Sequence, residues 1–157
     1  METRYPAPFA VLGIRTDGEA VTGIRYLPRS TAAQAPHDRV AERACREIER
    51  YLADPEHHFA VPYRLYGTPF RQQVWREIEK LFPLKTITYG DMAARLQSSA
   101  RAVGGACGAN PVPLIVPCHR VLAAGRRLGG FMGGREDFPL AVKSWLLQHE
   151  GILAATD

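Results

Sequence analysis

In the 157-residue chain, the stretch richest in chemistry runs from Asn110 to Val121. Pro111, Pro113 and Pro117 remove backbone donors and forbid a helix, which predicts an extended, rigid segment. Its side chains are apolar from Pro111 to Pro117, implying burial, and it ends in a thiol, an imidazole and a guanidinium: Cys118, His119 and Arg120. A rigid apolar strut with Cys-His at its tip would hold a nucleophile still. A free cysteine, with a pKa of about 8.5, must lose its proton before it attacks. His119 is the nearest base. Neighbours in an extended segment point to opposite faces, so a water is expected between Cys118 and His119. A third group must then orient the imidazole and carry its charge. Read alone, the pair also fits a buried structural cysteine beside a core histidine.

The remaining residues narrow the chemistry. Cys45, Cys107 and Cys118 are odd in number and show no pairing pattern, arguing against a disulfide framework and for a reducing compartment. No CxxC or zinc-spaced His/Cys set is present, and His57-His58 is a lone pair in a polar turn, so no metal and no cofactor is expected. No stretch approaches the ~18 apolar residues of a membrane span. Met1-Glu2-Thr3-Arg4-Tyr5-Pro6 is unlike a signal peptide, and a cytoplasmic, nucleoid-associated location is expected. Before Thr68 there are 9 basic and 9 acidic residues; from Thr68 on there are 11 and 7. The net charge of +4 therefore sits in the second part, which suits a polyanion partner.

These residues need elements to position them. Phe9–Ile14 and Val21–Leu27 are β-leaning runs around Asp17-Gly18, a hairpin signal. Val40, Ala41, Ala44, Ile48, Tyr51 and Leu52 recur at helical spacing between Asp38 and Leu52, with Cys45 bordering the stripe as core. Phe59–Tyr66 reads as an edge strand because of Pro62. Residues 1–66 thus form a small α/β supporting domain, an antiparallel sheet plus a helix. Residues 67–157 form a mostly α domain. There Thr68 caps and Pro69 opens a helix carrying Phe70, Val74, Ile78 and Leu81, with Trp75 packed beside them. A last helix carries Leu140, Val142, Trp145, Leu146 and His149 and ends at Gly151, before a frayed tail from Ile152 to Asp157.

Between these helices, one capped by Thr88 and another starting at Ser98 or Ser99, joined by Gln-Ser-Ser, make a helix-turn-helix. The second is unusual for a DNA reader, with Arg101 followed only by small or apolar residues such as Ala102, Gly104 and Gly105. Each glycine costs about 1 kcal/mol of helix propensity. One reason to tolerate them is girth, because a nearly bare helix can press into a minor groove with little sequence preference. Close helix–helix packing is the other. Gly129, Gly130, Gly133 and Gly134 around Phe131-Met132 make a loop that can approach a flat ligand closely.

Pro117-Cys118-His119-Arg120-Val121, the upstream Asn110-Pro111-Val112-Pro113 and the downstream Gly129–Gly134 resemble the O6-alkylguanine-DNA alkyltransferases, or methylated-DNA–protein-cysteine methyltransferases. The resemblance runs from about Gly67 to Gly151 and is weak over residues 1–66. It implies a single-turnover DNA-repair enzyme that flips O6-alkylguanine out of the duplex and keeps the alkyl group on Cys118; O4-alkylthymine is a further candidate lesion. It implies His119 and Glu150 as base and orienting acid, and Tyr89 as the residue that pushes the flanking phosphate or protonates the leaving guanine. Asn110 would hold the turn under the cysteine, and Arg101 would fill the vacated space. Val121, Gly130, Phe131 and Met132 would line the base pocket. The partner is double-stranded DNA, met by a monomer. The alternative is a non-catalytic alkylated-DNA sensor of the alkyltransferase-like class, which typically lacks the cysteine. A cysteine hydrolase would need an oxyanion hole, and a helix-turn-helix regulator would need base-reading side chains and a dimer interface. The chain departs from the family in Phe131-Met132, where most relatives carry Tyr-Ser. It also lacks a Gly or Pro in the turn before Arg101.

Overall fold

The computed structural model describes residues 1–129 and 137–153. Three antiparallel strands, β1 (Thr3–Pro6), β2 (Val11–Thr16) and β3 (Val21–Leu27), lie in the order β1-β2-β3. The hairpin forms at Asp17-Gly18: Asp17 Oδ1 accepts from the Glu19 and Ala20 amides, both at 2.9 Å, and Gly18 takes φ +90°. β1 was not among the expected strands. Its Thr-Arg-Tyr-Pro carries little apolar pattern, and it is held by pairing to β2 in the register Thr3–Ile14 to Pro6–Val11.

Helix α1 (Arg39–Ala53) is capped by Asp38, whose Oδ1 accepts from Ala41 N at 2.7 Å. The expected edge strand at Phe59–Tyr66 is absent. That segment makes one bridge to β3, with Val21 N donating to Pro62 O and Arg64 N to Val21 O. Pro62 has no N–H with which to extend the ladder.

Helix α2 (Pro69–Glu79) starts at the Thr68 cap with Pro69 in its first turn. Trp75 is fully buried and its Nε1 donates to Ala106 O at 2.8 Å, so this side chain ties α2 to the later helix. Strand β4 (Ile87–Thr88) runs into α3 (Tyr89–Arg95), and α4 (Ala100–Gly108) follows; Thr88 and Ser99 each cap their helix by accepting from the third residue on. The connection closes without glycine because Gln97 takes φ +52° while Ser98 N reaches back to Ala93 O. This is a Schellman-type ending, at a cost of roughly 1 kcal/mol of left-handed strain. Short strand β5 (Val121–Leu122) pairs in parallel with β4, setting the residues after the cysteine beside the start of α3.

Helix α5 (Asp137–His149) ends in a second Schellman turn, with Gly151 at φ +74°, Ile152 N on Leu147 O and Gly151 N on Gln148 O. The expected fraying at Ile152 is not observed there, since Ile152 and Leu153 are both bonded to Leu147 O; residues 154–157 lie outside the described residues. One core joins both parts of the chain: Leu12, Ile14, Ile48 and Tyr51 from the first, Val74, Trp75, Met92, Val103, Val116 and Leu146 from the second.

Candidate active site

The cysteine segment is buried as expected but it is not extended. Val112–Val116 folds into a tight turn, with Leu114 at φ +77° and Val116 N on Val112 O, and Cys118–Arg120 forms one 3-10 turn. Proline fixes φ near −65°, a value that suits turns as well as extended chain. The prolines therefore excluded a long helix without requiring a strut.

Asn110 organises that turn. Its Nδ2 donates to Val116 O (2.8 Å) and to Cys118 Sγ (3.0 Å), while its Oδ1 accepts from Val112 N (3.0 Å). One amide thus fixes both sides of the loop and the thiol. Cys118 is 1% exposed. Burial pushes its thiol well above the ordinary value, reinforced by the neighbouring Cys107, and outweighs the opposing pull of the Asn110 amide and the Lys143 charge. In the resting protein it is protonated.

The next residue is the base. His119 Nε2 lies 2.6 Å from Glu150 Oε2, with both side chains buried. Glu150 follows α5 directly, and its other oxygen accepts from Arg120 Nε at 2.8 Å. Tyr51 of α1 donates to Glu150 Oε2 at 2.5 Å. Burial alone would raise the Glu150 pKa, but the His119 and Arg120 interactions more than offset it and hold the carboxyl well below the usual range. An ionised carboxylate only accepts, so Nε2 carries the hydrogen and the imidazole lone pair is on Nδ1. Burial lowers the His119 pKa from 6.5 against the opposing effect of Glu150, leaving a neutral ring. Its Nδ1 is buried without a hydrogen-bond partner. No hydrogen bond joins Cys118 to His119 among the described residues, as their adjacency in the chain suggested.

Three side chains at the site were not selected from sequence. Tyr51 lies 99 positions from Glu150, a separation that no local pattern reveals. Arg120 ion-pairs with Glu150 and donates to Leu81 O at 2.5 Å. Lys143 is wholly buried, donating to Val121 O at 2.8 Å and Tyr89 Oη at 3.3 Å; burial lowers its pKa to about 8. The signal was present for two of them: Arg120 adjoins the motif, and Lys143 is a charge inside an otherwise apolar helical stripe.

The thin helix presents one bare face. Arg101 and Gly105 are exposed, with Ala102 and Gly104 partly so, while Val103, Ala106 and Cys107 face the core. A Cβ built on Gly104 or Gly105 would meet nothing within 4 Å. Helix–helix packing therefore does not explain these glycines, and the face is open. Tyr89 is half-buried at the start of α3, beside Gly129 and under Lys143 Nζ at 5.4 Å from its ring centre. Val121 is buried and hydrogen-bonded through its backbone. Gly130, Phe131 and Met132 lie outside the described residues. Cys118, His119, Glu150 and Asn110 are thus brought into one buried cluster, with Tyr89 reached through Lys143. A protonated thiol beside a neutral base with an anchored carboxylate can deliver a thiolate to a small electrophile as the proton moves to the imidazole.

Known proteins share this arrangement. A family model of the 6-O-methylguanine DNA methyltransferase DNA-binding domain matches residues 69–152. The chain is 36% identical over 158 aligned positions to the methylated-DNA–protein-cysteine methyltransferase of Haemophilus influenzae, covering 96% of this chain and 86% of that one. It is 34% identical over 134 positions to that of Mycobacterium bovis, covering 82% and 81%. The crystal structure of Mycobacterium tuberculosis OGT in complex with DNA superposes with a TM-score of 0.79 at 32% identity, over 94% of this chain and 90% of that one. The match thus extends over the sheet and α1, where motifs were weakest, and the chain belongs to the 6-O-methylguanine DNA methyltransferase family.

Proposed function

We propose that this protein repairs O6-alkylguanine in DNA by moving the alkyl group irreversibly to Cys118 Sγ, once per molecule. The observation that carries this reading is the buried relay behind the thiol: His119 Nδ1 without a partner, with Nε2 held at 2.6 Å by Glu150. In the resting state the thiol keeps its proton. When the alkyl carbon arrives, that proton passes through a water to His119 Nδ1, and Glu150 balances the imidazolium. Sulfur then forms the S–C bond as the C–O bond breaks, and the guanine O6 takes a proton from the Tyr89 hydroxyl. Asn110 aims the sulfur. The thioether is stable, which makes the protein a one-use reagent.

DNA would meet the open face of α4. Its bare glycines allow close groove approach, and Arg101 stands at the end where it can fill the space of the flipped nucleotide. Residues 67–157 form the DNA-meeting unit in this reading and residues 1–66 a buttress, working in the cytoplasm as a monomer. No helix among the described residues is long and apolar enough to cross a membrane. Incubating the protein with excess duplex carrying one O6-methylguanine tests the proposal. Lesions repaired should plateau at one per protein. Continued turnover, or no repair despite lesion binding, would overturn it.

A further inference from the structure

The equal numbers of acids and bases in residues 1–66 conceal a segregation of charge. On the sheet side the two signs are paired: Glu2 holds Arg25 at 2.6 Å and Arg4 at 3.1 Å, and Asp17 and Glu19 hold Arg64. On α1 they are not. Arg39, Arg43, Arg46 and Arg50 are spaced 4, 3 and 4 residues apart, which puts all four within a narrow stripe of one helical face, and all four are exposed. Glu42 and Glu49 lie to one flank of that stripe. Arg39, Arg46 and Arg50 make no side-chain hydrogen bond or ion pair among the described residues, while Arg43 reaches Glu47 at 3.5 Å and Ala60 O at 3.2 Å.

The stripe also borders a cleft. Arg43, Arg46, Arg50, His57, Glu47 and Ala60 enclose about 270 Å³. Glu47, 4% exposed, closes it: Oε1 accepts from Ala60 N (2.7 Å) and His57 Nε2 (2.9 Å), and Oε2, buried without a hydrogen bond, faces Arg43. Three guanidiniums around one carboxylate leave an excess of positive charge in a concave wall. Guanidinium forks match phosphate oxygens in geometry as well as charge.

We infer that the arginine face of α1 is a second phosphate-binding surface for the DNA backbone, separate from α4, with one phosphate seated in the Arg43–Arg46–Arg50 cleft. The inference rests on the DNA-repair reading above. The surface reads no sequence, because backbone contacts carry none. It adds affinity for undamaged duplex and leaves the chemistry at Cys118 untouched.

Salt-dependent binding tests it. Full-length wild type, Arg46→Gln, and Arg39→Gln/Arg46→Gln/Arg50→Gln would be titrated with an unmodified 24-base-pair duplex across a series of salt concentrations. Removing one arginine–phosphate pair should reduce the slope of log K against log salt by about 0.9, so the triple variant should lose roughly 2 to 3 units. Methyl transfer from free O6-methylguanine should be unchanged in all three, because that reaction needs no backbone. Arg29→Gln, an exposed arginine elsewhere, is the control for net charge. An unchanged slope overturns the inference, as does an equal loss with Arg29→Gln. Lack of methyl transfer by the wild type itself would instead overturn the repair reading.

Discussion

Two clusters in this molecule use the same side chains with different results. Glu150 accepts from His119 Nε2 at 2.6 Å beside Arg120, and Glu47 accepts from His57 Nε2 at 2.9 Å beside Arg43. A His–Glu–Arg trio is therefore no signature of catalysis. Exposure and neighbours separate them. His119 and Glu150 side chains are 1% and 0% exposed, against 19% and 5% for His57 and Glu47. Behind His119 lie a thiol and an unpartnered Nδ1; His57 lines an open cleft of arginines. In the buried cluster, low dielectric strengthens every charge and makes an unpaired one costly. Beside water the same trio is screened and serves to present cations outward.

The largest difference should come from neutralising each carboxylate. Glu150→Gln strands Arg120 and leaves His119 without its counter-charge. Single-turnover methyl transfer should fall by about 10³ to 10⁴, in line with loss of the acid from a triad. Denaturant unfolding should show a loss of about 3–5 kcal/mol, the cost of breaking a buried ion pair. Glu47→Gln should cost about 1 kcal/mol and leave the transfer rate within twofold; an equal rate loss in both variants would erase the distinction. Asn110→Ala comes next. It frees the thiol and orphans the Val112 amide and Val116 carbonyl, so stability should drop by about 2–3 kcal/mol along with the rate. Tyr51→Phe removes one hydrogen bond to a charged group, a loss of about 1.5–3 kcal/mol, with a smaller effect on rate than Glu150→Gln.

Acid supplies the subtlest test. The folded Glu150 pKa lies below its ordinary 4.5 because His119 and Arg120 outweigh burial. Its contribution is then fully present above 4.5 and lost only as pH falls through the lower folded value. The stability gap between wild type and Glu150→Gln should hold constant down to about pH 4.5 and close below it. A gap that closes near neutrality would mean that the carboxylate is not held as described.

What the sequence revealed followed from local rules. Asp38, Thr68, Thr88 and Ser99 each cap the helix expected of them, and Gly151 closes α5, because capping depends on residues within one turn. The cysteine motif pointed to Cys118, His119 and Asn110 in the same way. Glu150 came only from resemblance, since its partners are 30 and 31 positions away. Tyr51 and Lys143 escaped altogether, because a tyrosine on a helical stripe or a lysine near a helix end carries no mark of what it meets across the core. The cysteine segment was misread because proline's φ serves both strut and turn, and the side chain of Asn110 decided between them. The strand at Phe59–Tyr66 failed where Pro62 could give only one bridge.

The central claim is that Cys118, among three cysteines, receives the alkyl group. Intact mass followed by peptide mapping, after incubation with duplex carrying one O6-methylguanine, tests it most directly. The wild type should gain one methyl in exchange for one hydrogen, confined to the peptide bearing Cys118, and Cys118→Ala should gain nothing. Methyl on the peptide of Cys107 or Cys45, or any gain by Cys118→Ala, would contradict the account.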